Sequence, residues 1–149
     1  MNDTLEKFGY PDTLITAYEH WCVLMRPAQP TLGALVLVHK GPETAFGDIP
    51  ANAFAELATA TAEIEASLKT FRPFERINYL MLMMVDPHVH FHVLPRYSTA
   101  QVFEGVSFPD VGWPGVPQLG SAITPDADLR QALINALRAH WVREVASDR

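Results

Sequence analysis

His88, His90 and His92 alternate with Val89, Phe91 and Val93 in the stretch "HVHFHV". Extended backbone sends successive side chains to opposite faces, so this alternation predicts a strand with one apolar face and one imidazole face. The chain has 149 residues and six histidines, and three of the six share five consecutive positions. A solvated sheet face would scatter them. Imidazole titrates near neutral pH, so a neutral ring nitrogen can act as a nucleophile without a strong base. Its neighbours can hydrogen-bond to phosphate oxygens and to a leaving group. The row therefore suits attack on phosphorus in two displacements, through a phosphohistidine-type intermediate.

A metal site is the competing use of such a row. Imidazole is a frequent zinc ligand, and alternate strand histidines can share an ion. His88 and His92 are four strand rises apart, about 13 Å, so convergence of all three on one tetrahedral ion requires a bulge. Asp86 is the nearby carboxylate that could complete a two-histidine site. The lone residues His20 and His140 read as packing or surface histidines, and His39 ends a strand near sheet-end loops.

Several elements must position this row. "WCVLMR" (21–26) and "ALVLVH" (34–39) read as strands, the second central because it is apolar throughout. Phe54, Leu57, Thr61, Ile64, Leu68 and Phe71 recur at helical intervals and predict the inward stripe of an amphipathic helix of about 18 residues over 53–71. "INYLMLMMV" (77–85) reads as another buried strand. Asp86-Pro87 then interrupts the chain, leaving either a hairpin or a bent continuation into the histidine run. A long loop from Ser98 to Ile123 carries "FPDVGWPGVPQLG". Thr124 as N-cap and Pro125 as the first helical residue begin a C-terminal helix lined by Leu129, Leu133, Leu137, Trp141 and Val145. This order predicts an α+β fold on an antiparallel sheet, with one main helix packed on it and a second at the C-terminus.

The length fits a single domain over 1–149, with its core at about 14–97 and a C-terminal loop and helix over 98–149. Apolar residues make up 48% and charged residues 19%, the balance of a globular chain. Eleven basic residues against seventeen acidic ones give a net charge of −6, which argues against polymeric nucleic acid as a partner but leaves room for a small phosphorylated ligand. No apolar run reaches the roughly 20 residues of a membrane span, and the first residues carry no export pattern. Cys22, the only cysteine, reads as a small core residue in a reducing cytoplasm.

"HVHFHVL", with the following Pro95-Arg96, resembles the His-φ-His-φ-His-φ-φ signature of the histidine triad (HIT) superfamily, and "LGALVLVHK" is similar to an earlier strand of that family. The resemblance spans roughly residues 14 to 97. It implies a five-stranded antiparallel sheet that pairs into a homodimer, and activity on dinucleoside polyphosphates or nucleoside phosphoramidates without an obligatory cofactor or metal. Carried over by motif, His90 attacks the α-phosphate and becomes nucleotidylated. His92 contacts a phosphate oxygen or the leaving group, and His88 helps to orient and bind the phosphate.

The chain departs from the family pattern in three places. Ala34 follows Gly33 where a further histidine is common, Arg26 stands near an expected asparagine, and Met84-Val85 replace a polar pair that holds phosphates. Arg26, Arg96 and Trp113 are the additional residues expected to bind substrate. The resulting expectation is a cytoplasmic, dimeric nucleotide hydrolase, with dinucleoside polyphosphates the favoured substrates. A nucleotide-binding sensor or adaptor with little turnover, and a His-ligated metal hydrolase, are the alternatives.

Overall fold

The runs at 21–25 and 35–39 form the middle of a sheet because they carry no charged side chain to send to either face. The computed structural model describes residues 2–143. In it β2 (Trp21–Met25) and β3 (Leu35–His39) are buried at every position and pair antiparallel, Trp21 opposite His39 and Met25 opposite Leu35. β1 (Leu14–Ala17) adds to β2 on the outside. On the other side β5 (His90–Arg96) pairs with β3, and β4 (Arg76–Leu80) with β5. The sheet is therefore five-stranded, ordered β1-β2-β3-β5-β4 and antiparallel throughout. The fold is α+β, as the sequence implies.

Helix α2 (Ala51–Phe71) covers one face of the sheet. Its buried stripe includes Ala53, Ala60, Ile64, Ser67, Leu68 and Phe71, with the small residues letting the helix lie close to the strands. Leu57 and Thr61 are only half-buried, and Phe54, expected inside, is 39% exposed and packs on Phe46 at 5.2 Å between ring centroids. Trp21 fixes the helix start by donating its Nε1–H to the Ala53 carbonyl at 2.8 Å.

The opposite face has its own, smaller core. Cys22, Leu24, Val36 and Val38 pack there beneath Leu5 and Phe8, contributed by and just after the short helix α1 (Asp3–Lys7). Asn2 caps α1 by accepting from the Leu5 N–H, and its amide donates to the His39 carbonyl at 2.9 Å. The N-terminal segment is thus bound to the sheet face that also carries the even-numbered residues of β5.

Three expectations need correction. The strand predicted over 77–85 ends at Leu80, and 81–89 is irregular. The last ladder pair is Leu80 with His92; beyond it Met83 has φ 51°, outside the extended region, and Leu82, Met84 and Val85 are exposed. β4 and β5 are antiparallel neighbours, but a nine-residue connection replaces the tight turn. Within the presumed loop 98–123, β6 (Gln101–Phe103) and β7 (Val106–Phe108) form a hairpin. Its turn, Glu104-Gly105, has both residues at positive φ (49° and 75°), the geometry that matches the twist of a tight hairpin. Finally, α3 (Ala127–Ala139) is capped by Asp126, whose carboxylate accepts from the Leu129 N–H, so Thr124 and Pro125 lie before the helix. Leu133, Ile134 and Leu137 are its buried positions, Leu129 is half-buried, and Trp141 packs on the core beyond the helix end. Val145 lies outside the described residues.

One buried ion pair ties the region after β5 back to the sheet. Arg96 donates through Nε and Nη2 to the two oxygens of Asp110 (2.7 and 3.0 Å) and through Nη1 to Asn78 Oδ1 (2.7 Å). The Tyr97 N–H also donates to Asp110, and the two charged side chains are 4% and 2% exposed. Removing one partner strands the other charge in the interior. Asp110→Ala is expected to cost about 4 kcal/mol in urea unfolding, without abolishing ligand binding at the distant end of β5.

Candidate active site

β5 is the second strand from its edge of the sheet, so its side chains meet packed material on both faces. Val89 and Val93 are fully buried in the larger core, with Phe91 packed against it. His90 and His92 point to the other face and are 2% and 7% exposed. Their rings stand edge to face, 5.1 Å apart, and the Phe8 ring lies 5.7 Å from each. The strand begins only at His90, so His88 does not continue the row as a strand residue. Its Nδ1 lies 3.2 Å from Thr4 Oγ1, and its N–H donates to the same hydroxyl.

Hydrogen bonds to groups of fixed polarity assign the tautomers. His90 Nδ1 is 2.7 Å from the His88 carbonyl oxygen. A carbonyl can only accept, so Nδ1 carries the proton and Nε2 holds the lone pair. His92 shows the reverse arrangement. Arg26 Nε, which can only donate, is 3.3 Å from His92 Nδ1, leaving Nε2–H as the donor. One ring thus offers a nucleophilic nitrogen, and its neighbour offers a proton-bearing one. Burial, with the Arg26 guanidinium and His90 beside it, pushes the His92 pKa down to about 4, so this ring is neutral at neutral pH.

Arg26 leaves the end of β2 and is anchored by donating from Nη1 to the Ala28 carbonyl at 2.6 Å. The two rings and Arg26 form the floor of a cleft of about 260 Å³. Lys7 and Phe8 form one wall and residues 82–86 the other, and Lys7 Nζ meets Asp86 at 3.2 Å. Local sequence pattern does not reveal the Lys7–Phe8 wall, because α1 has only five residues and no repeated apolar stripe. An aromatic residue followed by Gly9 at positive φ is the only local hint that the chain turns there.

Of the six residues singled out from sequence, His90, His92 and Arg26 come together in this cleft. His88 reaches it through its carbonyl rather than its ring. Arg96 and Trp113 instead line a separate cleft of about 300 Å³ with Arg76 and Asn78. Arg96 lies on the triad face by parity, but its donors already serve Asp110 and Asn78. His39 is buried, accepts from the Gly41 N–H and lies edge-on to Trp21. Among the described residues, metal-ligating atoms converge within 4.8 Å only at Glu19, His20 and Glu56. There Glu56 accepts the backbone N–H groups of both Glu19 and His20, which is reason enough for the cluster.

No protein-family model matches the chain, and no curated protein is similar enough to match it. Solved structures do. A histidine triad protein from Sinorhizobium meliloti is 20% identical, with 94% of this chain and 95% of that one covered and a TM-score of 0.72. A hypothetical histidine triad nucleotide-binding protein from Sulfolobus tokodaii is 16% identical over 86% and 82% of the two chains, with a TM-score of 0.63. A zinc-bound histidine triad family protein from Mycobacterium smegmatis is 18% identical over 92% and 88%, also at 0.63. The chain has the fold of the histidine triad proteins.

The tautomer and burial assignments have a direct consequence. In the folded protein the His92 ring is expected to titrate with a midpoint near 4 rather than its ordinary 6.5, read from its imidazole proton shifts by NMR. Arg26→Gln removes a neighbouring positive charge and should move that midpoint upward. Because the unfolded ring takes up its proton at higher pH than the folded one, the stability contributed by neutral His92 is complete above pH 6.5. It is lost as the pH falls from 6.5 towards 4.

Proposed function

We propose that this chain, built on the histidine triad fold, is a nucleotide hydrolase that cleaves at the α-phosphate through a covalent nucleotidyl-His90 intermediate. The observation that supports the reading most is the 2.7 Å contact from His90 Nδ1 to the His88 carbonyl. It leaves the Nε2 lone pair free for attack and stabilises the positive charge that the attacking ring acquires. As Nε2 bonds to phosphorus, the ring becomes cationic, and the Nδ1–H bond to the carbonyl strengthens. His92 Nε2–H is a donor for a non-bridging oxygen, where charge builds in the transition state. Arg26 holds His92 in that tautomer and adds a positive charge beside it.

The likeness to the Sulfolobus tokodaii structure, whose description is nucleotide-binding, adds to this proposal. Both displacements are in line, and the protein's part is positioning and hydrogen bonding rather than strong acid or base chemistry. With a neutral nucleophile, no metal or other cofactor is required. The active assembly we propose is a homodimer. On the β1 edge of the sheet, the Arg138 guanidinium donates to the Leu14 carbonyl at 2.9 and 2.6 Å, whereas no strand among the described residues pairs with the outer side of β4, a partly exposed edge. The proposed location is the cytoplasm, consistent with one buried, unpaired cysteine and with the lack, among the described residues, of a helix long and apolar enough to cross a membrane.

His90→Ala is expected to lower kcat by at least about a thousandfold while the fold and nucleotide binding are retained, with a lowered unfolding midpoint because a buried ring is removed. Acid-quenched reactions with α-labelled nucleotide should leave label on the protein in the parent only. Full turnover in His90→Ala excludes the mechanism. Tight nucleotide binding with neither turnover nor label favours the sensor role instead. Sedimentation equilibrium checks the dimer, and a monomer at micromolar concentration contradicts it.

A further inference from the structure

The far end of β5 carries a second cleft, on the same sheet face as the histidines. Arg76 stands opposite Arg96 and Asn78 opposite Leu94 in the β4–β5 ladder, so Arg76, Asn78 and Arg96 send their side chains to the face that holds His90 and His92. Together with Trp113 and Pro114 they line a cleft of about 300 Å³. Its polar side chains are all donors. Each Nη of Arg96 keeps one N–H beyond those given to Asp110 and Asn78. Asn78 Oδ1 already accepts from Arg96, which leaves its amide N–H groups to donate. Among the described residues neither that amide nitrogen nor the Trp113 Nε1–H has a partner. Arg76 is exposed, gives one N–H to the Glu75 carbonyl, and has no carboxylate within ion-pair distance among the described residues.

The neighbouring carboxylates face elsewhere. Both Asp110 oxygens are taken by Arg96 and the Tyr97 N–H, and Glu75 accepts from Ser98. A ligand filling this cleft must therefore bring the acceptors, and guanidinium donors favour acceptors that carry negative charge. The walls are fixed in advance. Arg96 is 3% exposed, and the Trp113 N–H donates at 3.2 Å to the carbonyl of Asp110, the residue that pairs with Arg96. The Gly115 N–H closes the turn on the Gly112 carbonyl at 2.7 Å. Trp113 and Pro114 add an apolar wall, and the volume is that of a small organic ligand's site.

We infer that this cleft is a second ligand site, which takes a small molecule with an apolar body and an anionic oxygen group, phosphate or carboxylate. Nothing in it depends on attack by His90. The test is a titration followed by NMR at the Trp113 indole N–H, its resonance assigned with Trp113→Phe. The probes are phenyl phosphate, benzoate and the neutral benzyl alcohol, at an ionic strength held constant with sodium chloride. At least one anion should give a saturating shift and the alcohol none, and the tighter anion identifies phosphate or carboxylate as the group taken. Arg76→Gln should raise that Kd at least about fivefold through loss of one charge-assisted contact, and Arg76→Glu should abolish binding. Both variants should keep the parent's unfolding midpoint, because Arg76 is exposed. The Kd in His90→Ala should equal the parent's. A shift that does not saturate, equal binding of the alcohol, or a parental Kd in Arg76→Gln overturns the inference. Loss of the response in His90→Ala overturns it as well, because the anion then sits over the histidines.

Discussion

Strand β5 has to satisfy two cores at once, and that constraint organises the molecule. Its odd residues complete the core under α2, while its even residues place two imidazoles in the smaller core of the opposite face. A polar ring inside a sheet is costly unless its nitrogens are partnered. The partners are a main-chain carbonyl for one ring and a guanidinium for the other. Because each partner can play only one part in a hydrogen bond, the same contacts that make burial tolerable also fix which nitrogen is basic. Stability and reactivity thus have one origin here, the saturation of polar groups away from water.

The His88 carbonyl is as important as any side chain in this arrangement. The chain leaves ladder geometry just before His90, which lets that carbonyl turn back towards the ring. A regular strand would direct it to a neighbouring strand instead. The irregular stretch 81–89 therefore has two effects: it frees the carbonyl, and it brings four apolar side chains over the cleft. Met83, three residues past the end of β4, stands at positive φ within this stretch, at a position where a residue without a Cβ would sit more easily.

The sheet and its histidines were legible because their information is local and periodic. Alternation over 88–93 shows which residues share a face, and the unbroken apolar runs at 21–25 and 35–39 mark strands covered on both sides. What was not legible depends on pairings across the chain. Helix α1 owes its place to Leu5 and Phe8 meeting Cys22 and Val36, far away in sequence. Arg96 has the right parity to face the histidines, but no local pattern shows that Asp110 will claim its guanidinium. The segment 81–85 misleads for a related reason: its composition is that of a buried strand, while its position is the rim of a cleft. Phe54 errs the same way, keeping helical spacing but meeting Phe46 at the surface rather than the core.

The contact between Lys7 and Asp86 joins the two walls of the cleft. With Lys7 half exposed, such a pair contributes no more than about 1 kcal/mol and weakens further with added salt. A contact this weak ties the walls together only loosely: it opens and re-forms on the timescale of exposed side-chain motion, so the width of the cleft mouth is set by the backbone on either side rather than by this pair.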